Sequence, residues 1–211
     1  MNALEIHRLT KRRGDFVLRG LELTLPAGCI MGLIGENGAG KSTTIRLILN
    51  GLRRDGGTIA VYGKDNRAMT ALDREDIGVV LDEVGLPEYM NAQQIGRMMA
   101  GIFTHWQPEA YAGYLRRLAL PEDKPFRDFS RGMKMKQGLA VALSHQPKLL
   151  LLDEATSGLD PVVRDEILTI FADFTRDEEH AVLLSSHIVS DLERICDYIA
   201  FLHKGRLAGL L

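Results

Sequence analysis

Cysteine is nearly absent: the chain holds two among 211 residues, Cys29 and Cys196. They lie far apart and form no C-x-x-C pair. No disulfide framework or thiolate metal site is readable, and both are expected as reduced, partly buried thiols of a cytosolic protein. An excess of positive charge is also missing. The 26 basic and 28 acidic residues leave a formal net charge of −2, without the basic field that nucleic-acid binding uses, so no nucleic-acid partner is expected. No run of about 18 apolar residues occurs, so no segment reads as a membrane span. The first residues, Met1 to Glu5, lack a basic region leading into an apolar stretch, so no signal peptide is visible. Any membrane role is expected to come through a partner. Low-complexity tracts and internal repeats are absent too. What remains is an ordinary globular composition, 45% hydrophobic and 26% charged. It can bury a real core in one domain, or in one domain with an insertion.

The apolar pattern divides the chain. Leu21, Leu23 and Leu25 alternate with Glu22 and Thr24, the period of a half-buried strand. Ile30 to Ile34, Ile77 to Leu81, Leu149 to Leu152 and Ala181 to Leu184 are short apolar runs, the pattern of strands buried on both faces. Between them lie helical patterns over Thr43 to Asn50 and Pro161 to Thr175, the second with Asp160 as N-cap and Pro161 at the first helical position. Such alternation predicts an α/β fold with a mainly parallel sheet. From Val84 to His145 the chain reads as helices and loops. Asn91 caps a helix over Ala92 to Phe103, with Gln94 completing a capping box. Glu109 to Leu118 is a second helix, and Ser130 opens a third running to about Ser144. The expected organisation is one domain over 1–211, with a core of 1–83 and 146–211 and a helical insertion over 84–145. Ile199 to Leu210 reads as a hairpin turning at Lys204-Gly205.

Gly35-Glu36-Asn37-Gly38-Ala39-Gly40-Lys41-Ser42, followed by Thr43, fits G-x-x-x-x-G-K-S/T between a buried strand and a helix. Glycines let the backbone curl so that successive N–H groups face phosphate oxygens, and the following helix adds its positive end. Lys41 is placed to reach the β- and γ-phosphates, and Ser42 to ligand Mg²⁺. No Asn-Lys-x-Asp motif for reading guanine is present. The strand Leu149 to Leu152 ends in Asp153 and Glu154. Ligands of parallel sheets sit beyond the carboxyl ends of the strands. Asp153 is therefore placed to hold Mg²⁺, directly or through water, and Glu154 to polarise an attacking water.

Phe129-Ser130-Arg131-Gly132-Met133 resembles the signature motif of ABC ATPases. Asp153 to Pro161 resembles that family's second carboxylate motif running into its D-loop, and Ser185-Ser186-His187 its switch histidine. Order and spacing agree over nearly the whole chain. The resemblance implies a P-loop NTPase (RecA-like) α/β core with N-terminal antiparallel strands and an inserted α-helical subdomain. It implies ATP with Mg²⁺, Glu154 and His187 as catalytic residues, and Asp160 communicating across a dimer. Ser130, Arg131, Gly132 and Met133 would face the γ-phosphate bound by another subunit, in a homo- or heterodimer with a second ABC ATPase domain. Taken alone, Ser130 and Asp160 are also ordinary helix caps, and capping and ligation use the same geometry. The Ser-x-Gly-Met form is similar to ATPase subunits that serve ABC-2-type permeases, often exporters. The expected partner is an integral-membrane permease, and the expected location is cytoplasmic, at the inner face of the membrane. A non-transport ABC ATPase is the alternative. Those with a coiled-coil arm insert it between phosphate loop and signature, and the 89 residues from Lys41 to Ser130 leave no room for one.

Two positions depart from the family pattern. Asp82 stands where the family usually has a glutamine that joins Mg²⁺ and couples to the permease. It either contacts the metal, directly or through water, or is a surface loop acid. Arg13 stands where the family stacks an aromatic residue on adenine. Phe16 nearby could substitute, or Arg13 could stack through its guanidinium plane.

Overall fold

A computed structural model describes residues 1–211. The chain starts with a long antiparallel ribbon, β1 (Asn2–Arg13) and β2 (Phe16–Pro26). In β2, Leu21, Leu23 and Leu25 are buried while Glu22 and Thr24 are exposed, as the alternation predicts. β3 (Ile30–Ile34) follows, then α1 (Lys41–Ile48), β4 (Gly56–Val61), β5 (Lys64–Asp65), α2 (Ala71–Glu75) and β6 (Ile77–Val80). Three helices come next: α3 (Ala92–Ala100), α4 (Pro108–Arg117) and α5 (Arg131–Leu143). The chain then returns to the sheet through β7 (Leu149–Asp153), α6 (Pro161–Phe174), β8 (Ala181–Ser186), α7 (Val189–Ile195), β9 (Tyr198–His203) and β10 (Arg206–Leu210).

Two sheets result, one ordered β2-β1-β4-β5 and the other β10-β9-β3-β8-β7-β6. The first is antiparallel throughout. The second is parallel from β9 to β6, with β10 antiparallel on its edge. The apolar runs make sense here. Ile30, Leu150, Leu152, Val182 and Leu184 enter one core with the helices α3 to α7. Their sequence neighbours Met31, Leu149, Leu151, Ala181 and Leu183 enter a second core with α1 and the antiparallel sheet. Successive side chains on a strand point to opposite faces, so a strand packed on both sides has no polar position to spare.

No strand is formed between β6 and β7. The predicted cap of α3 is present: the Asn91 carboxamide accepts from the Gln94 N–H at 2.9 Å, and Gln94 accepts from the Asn91 N–H at 3.0 Å. The helix ends earlier than its pattern suggests, at Ala100, and Gly101 leads into a turn. There the Glu75 carboxylate, at the end of α2, accepts from the Thr104 and His105 N–H groups at 2.9 and 3.1 Å. Those backbone donors hold its carboxyl below the usual range. His145 stacks on Phe103 at 4.1 Å between ring centroids and places Nδ1 3.0 Å from the Glu75 carbonyl. These contacts tie the helical layer to the sheet.

The C-terminal hairpin turns at Lys204-Gly205 as expected, with φ of 44° and 74°. Positive φ at both central residues matches the twist of the strands. Gly205 is required for a second reason: a Cβ there would stand 2.0 Å from the Val17 carbonyl oxygen of β2.

Candidate nucleotide-binding site

The carboxyl ends of β3, β6, β7 and β8 open on one edge of the parallel sheet, where a cleft of about 580 Å³ lies. Its floor is the loop from Gly35 to Gly40. Gly38 and Gly40 take φ of 83° and 117°, which lets the backbone curl before α1 begins at Lys41. The Thr44 hydroxyl locks the junction by donating to the Gly40 carbonyl at 2.9 Å. Asn37, Gly38, Gly40, Lys41, Ser42 and Thr43 all line the cleft. Gly35 and Ala39 shape the loop from behind: a Cβ on Gly35 would meet the Leu202 carbonyl at 2.4 Å, and Ala39 is buried. Lys41 is 5% exposed, and its ammonium donates to the Gly35 carbonyl at 2.7 Å. A buried cation held by its own loop is a preorganised partner for an anion.

The acidic strand end meets this loop. Ser42 Oγ donates to Asp153 Oδ1 at 3.0 Å, and Ser185 Oγ donates to the same oxygen at 2.7 Å. Asp153 is buried, and Glu154 is 15% exposed with its carboxylate toward the cleft. Glu154 Oε1 lies 3.3 Å from Lys41 Nζ, and Oε2 lies 2.7 Å from His187 Nδ1. The Glu154 backbone sits at φ 54°, in the left-handed region, with its N–H donating to Ser185. A non-glycine residue held there costs of order 1–3 kcal/mol and persists where the surroundings fix it. Mg²⁺ fits the donor set. No group of three or more His, Cys, Asp or Glu forms a protein-only metal cage. A serine hydroxyl sharing a hydrogen bond with one buried carboxylate is the pattern of an ion that keeps waters and substrate phosphates in its shell.

The rim carries the unusual residues. Arg13 and Phe16 oppose each other across the β1–β2 turn, and both line the cleft. Phe16 packs onto the loop itself, since a Cβ on Gly40 would stand 2.9 Å from its ring. Asp82 also lines the cleft and accepts a hydrogen bond from Arg131.

The other candidates lie elsewhere. Ser130, Gly132, Met133 and Asp160 line a separate depression, and of the signature residues only Arg131 reaches the cleft. Ser130 caps α5 by accepting from the Met133 N–H at 3.3 Å, and Asp160 caps α6 by accepting from Val163 at 3.0 Å. Glu36, Ser157 and Ser185 were not singled out from the sequence. The first two line the cleft and Ser185 orients Asp153. The only sequence signal for Ser185 is its place two residues before His187 on a buried strand.

Comparison with known proteins agrees with this geometry. The ABC transporter family matches residues 18–157. An uncharacterized ABC transporter ATP-binding protein of Bacillus subtilis, YhcH, is 36% identical over 98% of this chain and 69% of its own length. The bacitracin transport ATP-binding protein BcrA of Enterococcus faecalis is 32% identical, covering 97% of this chain and 67% of its own. The lantibiotic transport ATP-binding protein SrtF of Streptococcus pyogenes is 31% identical, over 97% and 88%. Among solved structures, an ATP-binding subunit of an ABC transporter superposes with a TM-score of 0.88 at 26% identity, over 99% of this chain and 89% of the other. The phosphate loop, Glu154 and His187 thus stand in one cleft of a fold shared with these proteins, and the chain belongs to the ABC transporter family, as one of its ATP-binding and ATP-hydrolysing subunits.

Proposed function

We propose that the chain drives an exporter by closing, with a second ATPase domain, around two ATP molecules. The observation that carries this reading is the division of the candidate residues. Lys41, Ser42, Glu154 and His187 share one cleft, whereas Ser130, Gly132, Met133 and Asp160 point into another. One chain then holds two halves of two different sites. The loop amides and Lys41 bind the phosphates in cis, and the N-terminus of α5 with Ser130 supplies donors to the partner's γ-phosphate. Arg13 and Phe16 contact the base. Ser42 and Asp153 would hold Mg²⁺, which would supply charge neutralisation at the phosphates. Glu154 takes the proton of the attacking water. His187, hydrogen-bonded to it, orients that carboxylate and the water.

The permease would be an integral-membrane protein; no helix here is long and apolar enough to cross a membrane. The chain would sit on it at the cytoplasmic face, through the helical segment 84–145 and the loop at Asp82. Relatives named for bacitracin and lantibiotic transport favour an antibiotic or peptide cargo.

Glu154→Gln tests the chemistry. Turnover should fall about 10²- to 10⁴-fold while ATP stays bound and a dimer accumulates. Hydrolysis at the parental rate would remove Glu154 from the role of base.

A further inference from the structure

Asp82 departs from the family pattern, and the fold brings it face to face with Arg131 of the signature segment. Arg131 Nη2 donates to Asp82 Oδ1 at 2.6 Å, and neither side chain has another hydrogen-bond partner. Asp82 follows β6 and is a sheet-end residue, whereas Arg131 is the first residue of α5. The guanidinium also lies beside Gly158, in the segment between Glu154 and Asp160, where a Cβ would stand 3.5 Å from Nε. The pair therefore spans the cleft rim from the sheet to the helical layer.

We infer that Asp82 and Arg131 form a clasp that is closed within a single chain and opens when ATP draws two chains together. This rests on the reading that the N-terminus of α5 serves a partner's phosphate. While the clasp is closed, the guanidinium is turned into its own cleft and neutralised by Asp82. A polyphosphate is a stronger partner for a planar guanidinium than one carboxylate, because it offers more charge and more acceptor oxygens. Opening releases Asp82 within the cleft that Ser42 also lines, so its availability to the metal side becomes conditional on dimer closure. The two side chains are 53% and 52% exposed. Solvent screening keeps such a pair weak, which suits a contact that a nucleotide must displace. The clasp acts as a brake: it holds Arg131 back from the partner.

Two measurements test it. The first is hydrogen exchange of the nucleotide-free chain, comparing the parent with Asp82→Asn and Arg131→Gln. Both variants should raise exchange over residues 82–86 and the first turn of α5 by about 1.5- to 5-fold. Unchanged exchange in both would overturn the clasp. The second is the ATP concentration that half-dimerises the Glu154→Gln chain in Mg²⁺. Adding Asp82→Asn should lower it by a similar factor when Arg131 is present, and leave it unchanged beside Arg131→Gln. An equal shift in both backgrounds would overturn the inference. So would an upward shift with a raised Mg²⁺ requirement, which would make Asp82 a metal-side residue alone. If Glu154→Gln never dimerises, the dimer reading falls and the exchange measurement alone decides the clasp.

Discussion

Glu154 is held from three directions. Its backbone N–H is bonded to Ser185, one carboxylate oxygen faces Lys41 and the other faces His187. Few conformations satisfy all three, which accounts for a non-glycine residue at φ 54°. The end of the cleft proposed for the base is looser. Arg13 and Phe16 offer a guanidinium plane and one ring on a half-exposed hairpin rim. Base stacking on an aromatic is worth roughly 1–3 kcal/mol, so Phe16→Ala should weaken ATP binding about 5- to 150-fold. The parent should bind ATP and GTP with similar, modest affinity. Submicromolar, strongly adenine-selective binding in a fluorescent-nucleotide titration would contradict this account of the rim. The phosphate-loop residues were legible because each does one local thing at a fixed spacing. Ser185 was not, because its role depends on β7 and β8 lying side by side.

At the scale of elements, the parallel strands were legible and the antiparallel ones much less so. Leu149 to Leu152 is an unbroken apolar run because it is buried on both faces. β1 carries no such signal. Its pairing slips between Ile6 and Leu9 and again before Lys11, and Arg8 stands at φ 48°, so buried and exposed positions do not alternate. From the sequence it entered only through the family resemblance. α2 buries none of its residues and so leaves no periodicity to read. The join between helical layer and sheet has a titratable element. Burial lowers the pKa of His145 below its ordinary value near 6.5. The unfolded chain therefore takes up this proton first as pH falls. Stability from the neutral ring is complete above about pH 6.5 and is lost below it, by at most about 1.4 kcal/mol per pH unit. Denaturant titrations at pH 7.5 and 5.5 should show a smaller loss for His145→Gln than for the parent. An equal loss would mean that His145 is not neutral in the fold.

At the scale of the whole molecule, one set of groups lines the cleft and the other lines a separate depression. The caps Ser130 and Asp160 were readable as helix starts from spacing alone, but their direction relative to Glu154 was not. That direction emerges only once α5 and α6 are packed on the sheet. The half-site account makes a direct demand on mixtures. A Lys41→Ala chain keeps its α5 surface, and a Ser130→Arg chain keeps its phosphate loop. Each alone should be inactive, while a mixture should regain part of the parental ATPase activity, because one composite site per mixed dimer is intact. A mixture no more active than the sum of its parts would contradict the claim that each working site is built from two chains.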